Sequence, residues 1–208
     1  MQILVEKYCP TKVSEFIGAQ DAKDAAIELL KDPNSAAFLF VGSSGTGKTS
    51  FALAFASELG AQLHHVPSQS CTVDTVKALR SKLNFRPMFG GFHFVLVDEA
   101  DEMSMAAQLA WLSIIDGTNR PENTVIVFTC NETERFKTRF TSRCECIKFS
   151  TQGIAKETSD LLAHIWESEV AGSEPPNFAR IVKEANNNIR ESLQQLQKYI
   201  RRARLAKA

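Results

Sequence analysis

Eight consecutive residues, Gly42-Ser43-Ser44-Gly45-Thr46-Gly47-Lys48-Thr49, fit G-x-x-x-x-G-K-[ST] at every fixed position. That pattern wraps backbone N–H groups around a phosphate. Glycine permits the turns this requires, and a helix beginning at its end presents a positive dipole. Ser44, Gly45, Thr46, Gly47, Lys48, Thr49 and Ser50 are therefore the expected phosphate-binding set. Lys48 is suited to the β- and γ-phosphates, and the Thr49 hydroxyl to a Mg²⁺ position. Downstream, the apolar run Phe92–Val97 ends in Asp98-Glu99-Ala100-Asp101. At the carboxyl end of a parallel strand beside the cradle, Asp98 is placed to hold the Mg²⁺ shell and Glu99 to polarise an attacking water. Asp101 reads as a helix N-cap or a surface residue.

Three further side chains fit the same chemistry. Asn131 follows the apolar run 124–128 and offers an amide to the γ-phosphate or the attacking water. Arg143 is either an ordinary surface residue or a rigid guanidinium given to a γ-phosphate by a neighbouring subunit. Arg190, near the start of the last helix, could reach back to a nucleotide lodged between two domains.

These residues need a scaffold of parallel strands. Short apolar runs predict strands at 36–41, 62–66, 92–97, 124–128 and 145–149. Helical spacing predicts helices at 19–31, after the cradle, at 74–83, 106–115 and 134–140. In the 74–83 helix, Val76, Leu79 and Leu83 share one face while Lys77, Arg80 and Lys82 fall elsewhere. In the 106–115 helix, Leu109, Leu112 and Ile115 form the expected core stripe, with Trp111 unassigned. His64 and His65, adjacent on a strand, point to opposite faces and cannot readily share a metal. From Thr151 the pattern is helical only, over 154–170, 177–185 and 189–205, with Leu193, Leu196 and Ile200 as the last helix's buried stripe. The expected division is an α/β nucleotide-binding domain at 1–150 and a helical lid at 151–208, hinged near residue 150. The opening segment, with Val5, Tyr8, Phe16 and Ile17, suits either the wall of a base pocket or plain packing.

The 208 residues carry 24 basic and 24 acidic side chains, so no global field announces a nucleic-acid partner. A local one is available in Lys198, Arg201, Arg202, Arg204 and Lys207, which is also what the solvated face of a last helix looks like. Five scattered cysteines, Cys9, Cys71, Cys130, Cys144 and Cys146, do not form a disulfide framework. No signal peptide or membrane-spanning run is apparent, and the expected location is cytoplasmic or nuclear.

Together these pieces resemble an AAA+ ATPase, specifically the sliding-clamp-loader small-subunit (replication factor C-like) family. Glu6-Lys7-Tyr8-Cys9-Pro10 is similar to that family's E-K-Y-R-P opening, and Phe16-Ile17-Gly18 to its F-[VI]-G base-contacting segment. Asp98-Glu99-Ala100-Asp101 is similar to D-E-A-D, Ser142-Arg143-Cys144 to S-R-C, and Asn188-Ile189-Arg190 to the G-D-x-R start of its lid helix. The resemblance implies a parallel five-stranded sheet of order 5-1-4-3-2 followed by an all-α lid, with ATP and Mg²⁺ as ligands. It implies Val5, Tyr8, Cys9 and Ile17 around the base, Asn131 and Arg190 as first and second sensors, and Arg143 as a finger inserted into the next subunit. It implies other AAA+ subunits in a pentamer, a sliding clamp, and primer-template DNA met by Thr72, Val73, Lys77 and Arg80. Cys9 stands in place of the family's arginine, Thr72 where relatives often carry a basic residue, and Asn187 in place of a turn glycine. The chain also stops where a collar domain would follow. Another AAA+ DNA remodeller, or an ATP-dependent scaffold with little hydrolysis, is the alternative; the absence of an N-K-x-D motif argues against a GTPase.

Overall fold

A computed structural model describes residues 3–87 and 90–207. The elements in chain order are α1 (Leu4–Lys7), α2 (Gln20–Lys31), β1 (Ala36–Val41), α3 (Lys48–Glu58), β2 (Gln62–Pro67) and α4 (Val73–Leu83). Then follow β3 (His93–Asp98), α5 (Met105–Ile115), β4 (Thr124–Cys130), α6 (Thr138–Thr141), β5 (Glu145–Lys148), α7 (Ala155–Val170), α8 (Phe178–Glu184) and α9 (Ile189–Lys207).

The five strands form one parallel sheet in the order β2-β3-β4-β1-β5, the expected order read from the other edge. Parallel pairing forces crossover helices onto both faces, so both faces of the central strands are buried. Alternate residues accordingly enter different cores. Leu39, Val95, Val97, Ile126 and Phe128 pack under α4, α5 and α6, while Phe38, Phe40, Phe94, Leu96, Val125 and Val127 pack under α2 and α3. The α3 side is aromatic. Phe51 meets Phe40, Phe149 and Phe16 edge-on, with ring centroids 5.8, 5.6 and 5.1 Å apart. Such packing fixes the helix that carries the cradle lysine.

A third apolar cluster joins α7, α8 and α9 through Leu162, Ile165, Trp166, Ile181, Leu193, Leu196 and Ile200. Leu4 of α1 is buried in this cluster, and its N–H donates to Gln197 Oε1 at 2.7 Å. The N-terminal segment therefore starts on the helical lobe. By Val13 and Phe16 it has reached the α2–α3 core of the α/β lobe, so it spans the seam.

Three local readings are corrected. The 134–140 helix is reduced to the single turn α6: residues 131–137 form turns and bends, and Phe136 among them stacks on Phe140 of α6 with ring centroids 5.0 Å apart. In α5, Leu109 is exposed while Trp111 is fully buried, donating from Nε1 to Cys71 Sγ and packing edge-on against Phe128. This helix is apolar nearly all round, so periodicity alone did not select its buried face. Asp101 lies in the turn Ala100–Glu102 and is buried, neither a cap nor a surface residue.

Candidate functional site

The carboxyl edge of the sheet gathers the sequence-predicted side chains. The β1–α3 turn passes through Gly45 (φ +80°) and Gly47 (φ +92°), left-handed conformations that favour glycine. Lys48, the first residue of α3, is buried. Its Nζ donates to the Gly42 carbonyl at 2.5 Å, the Ser43 carbonyl at 3.0 Å and Asn131 Oδ1 at 3.3 Å. Burial holds its ammonium below the usual lysine range, partly opposed by the nearby Asp101 and Asp98.

Asp98 ends β3 and is fixed from two directions. Thr49 donates to its Oδ1 at 2.7 Å and Thr129 of β4 donates to the same oxygen at 2.5 Å. Thr129 in turn accepts the Glu99 N–H at 3.1 Å. Glu99 has φ +53°, a strained conformation for a side chain with a Cβ, and it leaves the carboxylate exposed at the strand end. Asn131 follows β4, and its N–H donates to Asp101 Oδ2 at 3.0 Å. Asp101 thus anchors the backbone of Asn131 while the Asn131 amide meets Lys48. Thr129 and Asp101 are contributors that motif reading missed; both belong to strand-end runs that were read for other residues.

Two cavities open side by side. One, of about 110 Å³, is lined mainly by polar side chains, among them Ser44, Lys48, Thr49, Asp98, Glu99, Thr129 and Asn131. The other, of about 120 Å³, is walled by Val5, Tyr8, Cys9, Phe16 and Ile17 from the N-terminal segment, Thr46 of the cradle, and Leu161, Ile189 and Leu193 from the helical lobe. Gly45, Gly47, Ser50 and Arg190 line both. The arrangement is a polar chamber with two hard-oxygen donors, Thr49 and Asp98, joined to an apolar slot of the kind that holds an aromatic base. Hydroxyl and carboxylate donors suit Mg²⁺, which keeps most of its waters.

The N-terminal wall is tied to the helical lobe by Glu169 of α7. This carboxylate, whose side chain is only 7% exposed, accepts from Lys7 Nζ at 2.5 Å, Tyr8 Oη at 2.9 Å and Arg204 Nη2 at 2.5 Å. The hydrogen bond from Lys7 is the main reason its carboxyl lies below the usual glutamate range.

Other expected site residues lie elsewhere. Arg143 lines neither cavity; its Nε and Nη2 face Asp116 Oδ2 at 3.4 Å and its Nη1 donates to the Arg139 carbonyl at 2.7 Å. Thr72 caps α4, accepting the Thr75 N–H, and Thr72, Lys77 and Arg80 are exposed with Val73 half-buried beside them. Lys198, Arg201, Arg202 and Arg204 are exposed on α9, and the Lys207 side chain lies outside the described residues.

A strand-to-helix phosphate loop after β1, an acidic pair at the end of β3 with only β4 between them, and a helical lobe packed against the cleft define a P-loop nucleoside-triphosphatase. The chain belongs to the AAA family, the ATPase family associated with various cellular activities, whose model matches residues 38–152. It is 29% identical over 204 residues to replication factor C subunit 2 of Arabidopsis thaliana, covering 93% of this chain and 60% of that protein. It is 26% identical over 220 residues to DNA polymerase III subunit tau/gamma of Haemophilus influenzae, covering 92% of this chain and 31% of that one. The chain thus spans about 60% of the length of the replication factor C relatives it matches. In fold it matches the Thermotoga maritima RuvB Holliday junction branch migration motor, with a TM-score of 0.76 at 18% identity, over all of this chain and 68% of that chain. Among the described residues no helix is long and apolar enough to cross a membrane.

Proposed function

We propose that the chain is an ATP-hydrolysing subunit of a DNA sliding-clamp loader, coupling ATP binding and hydrolysis to clamp opening and placement on primer-template DNA. The observation that carries the catalytic part is the polar chamber holding Lys48, Thr49, Asp98, Glu99 and Asn131 at one sheet edge, open to the apolar slot beside it. The relatives named replication factor C and DNA polymerase III tau/gamma support the choice of assembly.

In this reading the base of ATP lies against Val5, Tyr8, Cys9 and Ile17, and the triphosphate runs through the cradle from Ser44 to Ser50. Lys48 exchanges its carbonyl partners for β- and γ-phosphate oxygens, which offer it stronger, charge-assisted bonds. Thr49 and Asp98 would hold Mg²⁺, which would supply charge neutralisation of the phosphates. Glu99 takes the proton of the attacking water, and Asn131, anchored by Asp101, orients that water and the γ-phosphate. Arg190 reports the γ-phosphate to the lid, with a hinge near residue 150 between 1–150 and 151–208. Arg143 completes the site of an adjacent subunit, so turnover belongs to the oligomer, a pentamer in this reading. Thr72, Val73, Lys77 and Arg80 face the DNA backbone, where the amides at the start of α4 and the basic side chains contact phosphates. The working location is cytoplasmic or nuclear.

The test is ATP turnover by the assembly reconstituted with its co-expressed replication partners, measured alone, with primed DNA, and with primed DNA plus clamp. Stimulation that needs both clamp and primer-template supports the proposal. Stimulation by branched DNA without any clamp requirement assigns the chain to another remodeller instead.

A further inference from the structure

One side chain joins the helical lobe directly to the cradle. Asn188 stands immediately before α9, its Oδ1 accepting the Glu191 N–H at 3.1 Å and its Nδ2 donating to the Ser44 carbonyl at 2.7 Å. A peptide N–H only donates and a carbonyl only accepts, so a flipped amide would lose both bonds. The approach is close: a Cβ on Gly45 would lie 2.5 Å from Asn188 Oδ1 and 2.8 Å from Nδ2. Gly45 therefore serves its own backbone turn and also leaves room for an amide arriving from the other lobe. The delivery is stiff as well. The Asn188 N–H donates to the Ala185 carbonyl at 2.8 Å and its own carbonyl accepts the Ser192 N–H at 2.9 Å. Two residues on, Arg190 lines both cavities.

We propose that Asn188 is a positioning residue that fastens the helical lobe to the phosphate cradle and so sets the reach of Arg190 and the register of the apolar slot. The proposal rests on the reading of the cleft as an ATP site. Helix capping accounts for half of what this amide does, since aspartate and serine satisfy the same N–H. The donor aimed sideways at Ser44 is the other half, and neither substitute reproduces it. Aspartate would set a carboxylate oxygen against the Ser44 carbonyl, two acceptors facing each other; serine caps but is too short to bridge the seam.

The experiment compares the wild-type chain with Asn188→Asp and Asn188→Ser. It measures the release rate of a fluorescent N-methylanthraniloyl ATP in Mg²⁺, the melting temperature without nucleotide, and hydrogen exchange of the cradle amides. Both variants are expected to melt close to wild type because the cap survives. Asn188→Asp should release the nucleotide roughly tenfold faster and Asn188→Ser roughly three- to fivefold faster, the scale of one lost hydrogen bond. Cradle exchange should quicken in both. Wild-type release and exchange in the aspartate variant would reduce Asn188 to a cap and overturn the proposal. If the wild-type chain binds no nucleotide at all, the ATP reading fails, and the fastening is decided by exchange in the nucleotide-free proteins.

Discussion

In the proposed ATP site, the phosphate side draws its working side chains from the start of α3 and the ends of β3 and β4, whereas the base side collects its walls from the N-terminal segment, the cradle, α7 and α9. The first is held by the sheet. Thr49 and Thr129 clamp one oxygen of Asp98, and Asp101 clamps the backbone of Asn131. The second is held by contacts across a seam, with Tyr8 hung on Glu169 and Asn188 hooked to Ser44. One side is preset by hydrogen-bonded strands and the other is assembled by lobe packing. Charge-dependent chemistry should therefore fail sharply when the first is damaged, while damage to the second should weaken grip by smaller steps.

The largest expected effect is on the sheet side. Glu99→Gln should lower hydrolysis by about 10²- to 10⁴-fold, the usual worth of a general base, with ATP binding retained. Single-turnover measurement on the assembly, alongside a binding titration, checks both halves of that statement. Next, Lys48→Ala should weaken ATP by about a hundredfold or more, since a desolvated charged donor to phosphate is lost. Calorimetric titration with ATP and with inorganic tripolyphosphate should show the loss for both ligands.

The base side should respond differently. Tyr8→Ala and Glu169→Ala should each weaken ATP by only about three- to tenfold, and should leave tripolyphosphate binding unchanged. An equal loss for tripolyphosphate would erase the distinction between the two sides. The smallest effect is on pH. Burial has already lowered the Lys48 pKa in the free protein, so the charged form that phosphate needs is depleted earlier as pH rises. ATP affinity should begin to fall on the alkaline side below the ordinary lysine range, and this decline should vanish in Lys48→Ala.

The same contrast explains what could be read from the chain. Each of the two motifs, the cradle and the Asp98-Glu99 pair, is a contiguous run, and strand ends place contiguous motifs predictably, so most of the polar chamber is legible from the chain, with Thr129 and Asp101 the exceptions. Of the base side, Val5, Tyr8, Cys9, Phe16 and Ile17 were found through resemblance or local character, while Leu161, Ile189 and Leu193 were not. They look like any other apolar residues of a lid helix. Asp101 was misjudged because lone carboxylates are seldom buried, and nothing in the sequence disclosed that the Asn131 N–H would meet it. Asn188 carried only the signature of a cap. The α5 stripe failed for a related reason: where nearly every position is apolar, spacing cannot tell Leu109 from Trp111.

Arg143 belongs to neither side of its own cleft, resting instead near Asp116. The account therefore turns on whether a neighbouring protomer's triphosphate is its target. The direct measurement is ATP binding and steady-state hydrolysis by the reconstituted assembly carrying Arg143→Ala. Unchanged ATP affinity with hydrolysis lowered at least about a thousandfold is the predicted result; hydrolysis at the wild-type rate would contradict a site shared between subunits.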